Sequence, residues 1–141
     1  MPKSLSKSTP PRLALLACCD HVARDPNSKK LTLYGVYDTV IPVDKTNFGL
    51  LVVARFFGGT GEHEMTFRLH NTAGTRVGWD ENNPKAKFKC KKQGFVDIVA
   101  NISKISINRA GWFELCVECD GELLTHSYPI RIQQQPQKKL R

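Results

Sequence analysis

No run of apolar residues approaches the roughly 18 needed to cross a bilayer as a helix, so the sequence offers no membrane span. Nor does any segment repeat its apolar residues at the three-to-four spacing of an amphipathic helix, which argues against a helical domain. Acidic residues are missing from both ends of the chain. Residues 1–12 carry Lys3, Lys7 and Arg12, and residues 133–141 carry Lys138, Lys139 and Arg141, with no Asp or Glu in either stretch. The formal charge of +8 is therefore mostly a property of the tails. Six of the 21 basic residues lie there, leaving 15 against 13 acidic ones in residues 13–132. A nearly neutral body weakens the inference from a high isoelectric point to nucleic-acid binding. Catalytic signatures are absent as well. Gly58-Gly59-Thr60-Gly61 lacks the lysine and following helix of a phosphate loop and reads as a turn, and no Ser or Cys sits in a context that names its base. We expect no enzyme and no cofactor.

What is present is strand grammar. From Phe113 to Cys119 the residues alternate, with Phe113, Leu115, Val117 and Cys119 on one face and Glu114, Cys116 and Glu118 on the other. Asp120-Gly121 follows, the dipeptide of a type I′ hairpin turn, and the chain returns through Leu124, Tyr128, Ile130 and Ile132. Pro129 denies the return strand a donor and marks an edge or a bulge. Earlier strands are expected at Leu13 to Cys19 (apolar on both faces), Leu31 to Ile41 with Gly35 inside it at a close approach or bulge, Asn47 to Phe57, Glu62 to Leu69, and Thr75 to Trp79. Asp20 to Lys30 reads as a polar connection. Gly94 to Ile107 shifts its alternation by one between Ile102 and Ile105, which predicts a bulge or bend. The sum is an all-β, two-layer antiparallel sandwich of immunoglobulin-like type, with seven or eight strands over residues 13–132 and disordered basic tails at 1–12 and 133–141.

Ala17-Cys18-Cys19-Asp20-His21-Val22, Lys30-Leu31-Thr32-Leu33-Tyr34-Gly35-Val36-Tyr37-Asp38, Val52-Val53-Ala54-Arg55, Gly61-Glu62-His63-Glu64 and Gly111-Trp112-Phe113 together resemble a family of small uncharacterised bacterial proteins. The resemblance covers roughly residues 13–132 and implies a bacterial one-domain β-sandwich. It implies no activity.

Two groups of residues invite a chemical reading. Lys85, Lys87, Lys89 and Lys91 share one face of a strand, with Lys92 beside them. The stripe is either a docking line for a polyanion or the lysine guard of an edge strand, and the missing aromatic residues on that face favour the guard. The five cysteines, Cys18, Cys19, Cys90, Cys116 and Cys119, are odd in number and fall in apolar patterns, so free thiols in a reducing, cytoplasmic setting are expected. A lipoprotein box at Leu15-Leu16-Ala17-Cys18 is disfavoured by the short apolar stretch before it. Cys116-x-x-Cys119 would point to opposite strand faces, and a metal set drawn from Cys18, Cys19 and His21 with His63 or His126 is weaker than buried thiols, so no metal is assigned. His63 reads as a satisfied core histidine. The expected function is non-catalytic binding of another protein or of a second copy. The alternative is polyanion or nucleic-acid binding through Lys85, Lys87, Lys89, Lys91, Lys92 and the tails.

Overall fold

The computed structural model describes residues 8–40, 48–71, 85–105 and 110–133. Among these the chain forms nine strands: β1 (Arg12–Arg24), β2 (Leu31–Val36), β3 (Thr39–Val40), β4 (Phe48–Phe57), β5 (Glu62–Asn71), β6 (Lys85–Lys89), β7 (Phe95–Ile105), β8 (Gly111–Cys119) and β9 (Glu122–Ile132). They build a four-stranded sheet of order β2-β1-β4-β7 and a five-stranded sheet of order β3-β9-β8-β5-β6. All pairings are antiparallel except β3 with β9, which is parallel. The domain is a β-sandwich.

The two sheets meet over a core to which β4 gives Leu50, Val52, Ala54 and Phe56. The other sheet gives Met65, Phe67 and Leu69 from β5, Leu115 and Val117 from β8, and Ile130 from β9. Phe56 stacks on Phe88 of β6, with ring centroids 4.7 Å apart. The inward face of β8 is as read, with Phe113, Leu115, Val117 and Cys119 all buried, whereas Cys116 on the opposite face is buried as well. Its two-residue turn puts Asp120 at φ 52° and Gly121 at φ 84°, with Cys119 opposite Glu122, as a type I′ hairpin requires. Pro129 sits opposite Glu114, beyond a register shift in the same hairpin, where its missing donor is tolerated.

The strand count exceeds the seven or eight expected, because the stretch read as one strand from Leu31 to Ile41 is divided. Its first part pairs with β1, and Thr39–Val40 joins β9 in the other sheet. The crossing is pinned by the Tyr37 N–H donating to Cys18 O (3.1 Å), the Arg131 N–H to Asp38 O (2.6 Å) and the Tyr128 hydroxyl to Tyr37 O (2.7 Å). The expected strand at Thr75 to Trp79 lies outside the described residues. Contacts with the sandwich also reach residues before 13. The Thr9 N–H donates to Thr60 Oγ1 and the Thr60 N–H to Thr9 O, fastening Ser8–Pro11 to the glycine turn after β4.

A third layer was not expected. Strand β1 pairs with β4 only from Arg12 to Cys19, and with β2 only from Cys19 to Arg24. On a straight β1, Arg24 would stand about 30 Å beyond Leu15, at about 3.3 Å per residue. Yet Arg24 reaches Asp97, which sits level with Leu15 across Arg55. The β1–β2 hairpin therefore bends back after Cys19 and lies over the outer face of the four-stranded sheet. Asp20–Lys30, expected as a connection, is mostly strand and a tight turn within that hairpin. The fold-back explains why Ala17, Cys19 and Val53, which point away from the core, are all buried. At the bend Gly35 takes φ +64°, and a Cβ there would run into the Asp20 carboxylate.

Candidate functional site

Lys85, Lys87 and Lys89 lie on β6, exposed, while Ala86 and Phe88 turn inward. Strand β6 is an edge of the five-stranded sheet. Its register sets Lys89 opposite Glu62, Lys87 opposite Glu64 and Lys85 opposite Thr66. Two of the three strand lysines thus have a carboxylate directly across the ladder, a placement that favours the pairing and offsets part of their charge. Lys91 and Lys92 do not continue the stripe, because the strand ends at Lys89 and they belong to the turn before β7.

The same register brings a second group together that the sequence did not connect. His63 on β5 is buried, with its side chain only 2% exposed. Its Nε2–H donates to Thr60 O (2.8 Å) and its Nδ1 meets Asp120 Oδ2 at 2.5 Å. Burial pushes the ring's pKa down, but the bonds to Asp120 and Thr60 outweigh it and hold His63 above the ordinary histidine value. Asp120 is fixed in turn: the Glu64 N–H donates to its Oδ1 (2.9 Å), and this bond with that of His63 keeps its carboxyl below the usual range. Cys119 Sγ lies 4.0 Å from Asp120 Oδ2. Burial, Asp120 and Cys90 push the Cys119 thiol up to about 11. One ligand atom each from His63, Cys119 and Asp120 falls within 4.8 Å of the others. The group opens on a shallow recess lined by Glu62, His63, Glu64, Lys87 and Asp120.

The other cysteine readings separate. All five thiols are free. Cys116 and Cys119 point to opposite faces as expected, but Cys116 is buried rather than wet, with its sulfur 3.7 Å from His70 Nδ1. Cys18 is completely buried, and desolvation first, then the neighbouring Cys19, pushes its thiol up to about 12. His21 is exposed and packs on Tyr34, with ring centroids 5.7 Å apart. The side chain of His126 lies outside the described residues.

The quoted motifs now have places. Cys-Asp and Gly-x-Tyr-Asp mark the bend and crossing of the β1–β2 hairpin, and Gly-Trp-Phe opens β8. A family profile agrees over the same span. The chain belongs to a family of unknown function (DUF6941), matched over residues 14–133. No curated protein matches the chain. Within the family span lie the whole His63 group and all three strand lysines, whereas the basic ends fall largely outside it.

A third surface occupies the outer face of the four-stranded sheet. Asp97 receives Arg55 Nε at 2.6 Å and Arg55 Nη2 at 3.1 Å, with Arg24 Nη2 at 3.4 Å. Arg55 also lies over the Phe95 ring (4.9 Å) and Arg12 over Phe57 (5.5 Å), the two rings being 5.0 Å apart. Phe95 and Val99 of β7 are 49% and 43% exposed, which leaves an aromatic, arginine-rich and apolar strip beyond the reach of the hairpin.

Proposed function

We propose that this chain is a non-catalytic, immunoglobulin-like binding module that takes up a strand of another protein along β7. Strand order supports the immunoglobulin-like assignment. Strands β1, β4 and β7 stand in the order of strands A, B and E, and β9, β8, β5 and β6 in the order of G, F, C and the added C′. In that scheme the β1–β2 hairpin is an insertion, and no strand D flanks β7 among the described residues. Only the short turn from Cys90 to Gly94 joins β6 to β7.

The observation that carries the reading is the contrast between two edges. The β6 edge is guarded by lysines at alternate positions, whereas among the described residues β7 pairs with β4 alone and runs from Phe95 to Ile102 without a Lys, Arg or Pro, its single lysine being Lys104 near the end of the strand. A long apolar edge next to exposed aromatics is a template for strand addition, and aromatic residues with arginine are what protein interfaces enrich. Five free thiols support a reducing, cytoplasmic setting. No helix of the described residues is long and apolar enough to cross a membrane.

The test is site-specific photo-crosslinking in cells, with benzoylphenylalanine replacing Phe95 or, separately, Lys87. Discrete protein adducts are expected from position 95 and none from position 87. Adducts from position 87 alone would move the interface to the lysine edge, and adducts from neither would overturn the reading. Polyanion binding is the weaker alternative, since Glu62 and Glu64 face the strand lysines. Elution from heparin only at high salt would revive it.

A further inference from the structure

We propose that His63, Cys119 and Asp120 form a binding site for a zinc-like divalent cation at the β8–β9 turn. The three residues supply an imidazole nitrogen, a thiolate and a carboxylate, a mixed donor set that suits zinc and cobalt and does not suit magnesium or calcium. Their ligand atoms lie within 4.8 Å of one another. A tetrahedral zinc site, with bonds of about 2.0–2.3 Å, needs ligand atoms roughly 3.5 Å apart.

Three distances must change to reach that arrangement, the one between His63 and Cys119 closing by up to about 1.3 Å and the other two changing by about 1 Å or less. Asp120 Oδ2 stands 2.5 Å from His63 Nδ1 and 4.0 Å from Cys119 Sγ. A cation replacing the proton between His63 and Asp120 opens the first by about 1 Å and draws in the second by about half that. Asp120 is free to make the adjustment, since it is half exposed at the tip of a two-residue turn. His63 and Cys119 are buried on β5 and β8, so their approach falls to side-chain rotation on a fixed backbone, and the freest ligand comes from the turn.

Thr60 provides the independent observation. Its carbonyl accepts the Nε2–H of His63 at 2.8 Å, so the proton that a cation would displace is the one on Nδ1, which Asp120 accepts. Histidines that bind metals are oriented in this way by a carbonyl or carboxylate on the far nitrogen. The Thr60 carbonyl is itself held in place, because the Thr60 backbone is fastened to Thr9. The recess bounded by Glu62, Glu64 and Lys87 gives the cation a way in and leaves the fourth position to water. Cys90 lies near enough for its charge to act on Cys119 and Asp120, but outside the three-ligand set.

The test titrates cobalt, then zinc, into the full chain after chelator dialysis, under reducing conditions that spare the thiols. One equivalent of cobalt is expected to give a thiolate charge-transfer band and tetrahedral d–d bands, both erased by one equivalent of zinc. Cys119→Ser should abolish the charge-transfer band. Asp120→Asn, which keeps a residue tolerant of positive φ on an exposed turn, should stay folded and weaken zinc by more than about tenfold. Cys90→Ser should bind as the parent does. A cobalt spectrum without a thiolate band, a band that survives Cys119→Ser, or a loss in Cys90→Ser as large as in Cys119→Ser would overturn the assignment.

Discussion

Val53 and Val99 stand opposite each other on β4 and β7, on the face of the sheet that looks away from the core. One is completely buried and the other 43% exposed. The fold-back of the β1–β2 hairpin accounts for the difference, and the pair provides a test of it. Val53→Ala removes the equivalent of two buried methylenes, about 1.6 kcal/mol of transfer free energy. With part of the resulting cavity left unfilled, the cost rises to about 2 kcal/mol or more. For a chain of this size the unfolding entropy near the midpoint is roughly 0.3 kcal/mol per degree, so Tm should fall by about 7 °C. Val99→Ala loses the same β-branched side chain from the same face, but removes little buried area. Its cost should stay within about 0.5 kcal/mol, roughly 2 °C. Calorimetry or urea unfolding of the two variants beside the parent measures both quantities. Equal effects would mean that nothing covers Val53, and the third layer would be wrong.

The Arg24–Asp97 contact should act as the latch of that layer. Asp97 is held below the ordinary carboxylate value of 3.8, chiefly by its hydrogen bond to Arg55 and against the opposing effect of burial. A lowered folded value means that its stabilisation is present above about pH 4 and lost as the pH falls through the folded pKa. Asp97→Asn should therefore cost about 1–3 kcal/mol at pH 6 and flatten the acid side of the stability profile, which thermal melts from pH 2 to 7 would reveal. Gly35→Ala should destabilise the chain by more than about 1 kcal/mol, since both the positive φ and the Asp20 carboxylate oppose a Cβ. A melt unchanged from the parent would place the bend elsewhere. Replacing Lys85, Lys87 and Lys89 with Gln should raise turbidity on storage and leave retention on a DNA column unchanged, and the reverse pattern would make the stripe a binding line.

Where a structural device is local, the sequence announced it. Asp120-Gly121 between two alternating runs is a hairpin because only such residues accept two consecutive positive φ angles, and no distant contact can alter that. The slip between Ile102 and Ile105 is visible for the same reason: three steps on β7 answer two on β4, from Leu50 to Phe48. The hairpin layer was not announced. Leu13 to Cys19 is apolar on both faces, which is equally the pattern of a strand inside a doubly covered sheet, and its alternation carries no record of what does the covering. Here the cover is the continuation of the same strand, turned back where Gly35 of β2, read as a close approach or a bulge, lies across from Asp20.

The His63 group escaped the sequence for a related reason. His63 on an apolar face reads as a core residue with a partner somewhere, and that much is true of the fold. The partner, Asp120, is 57 residues away and was already assigned to the turn, where its tolerance of positive φ is a sufficient reason for its presence. Two demands fall on one residue. The turn needs an Asp, Asn or Gly at that place, but only an Asp carries a carboxylate that can accept from the Glu64 amide with one oxygen and from His63 with the other. Because β5 pairs with β8, that carboxylate sits over the end of β5, and Cys119 arrives beside it as the last inward residue of β8. A residue with one visible reason to be present gives no hint of a second, so a site built from turn residues and strand ends becomes legible only once the register between the strands is known.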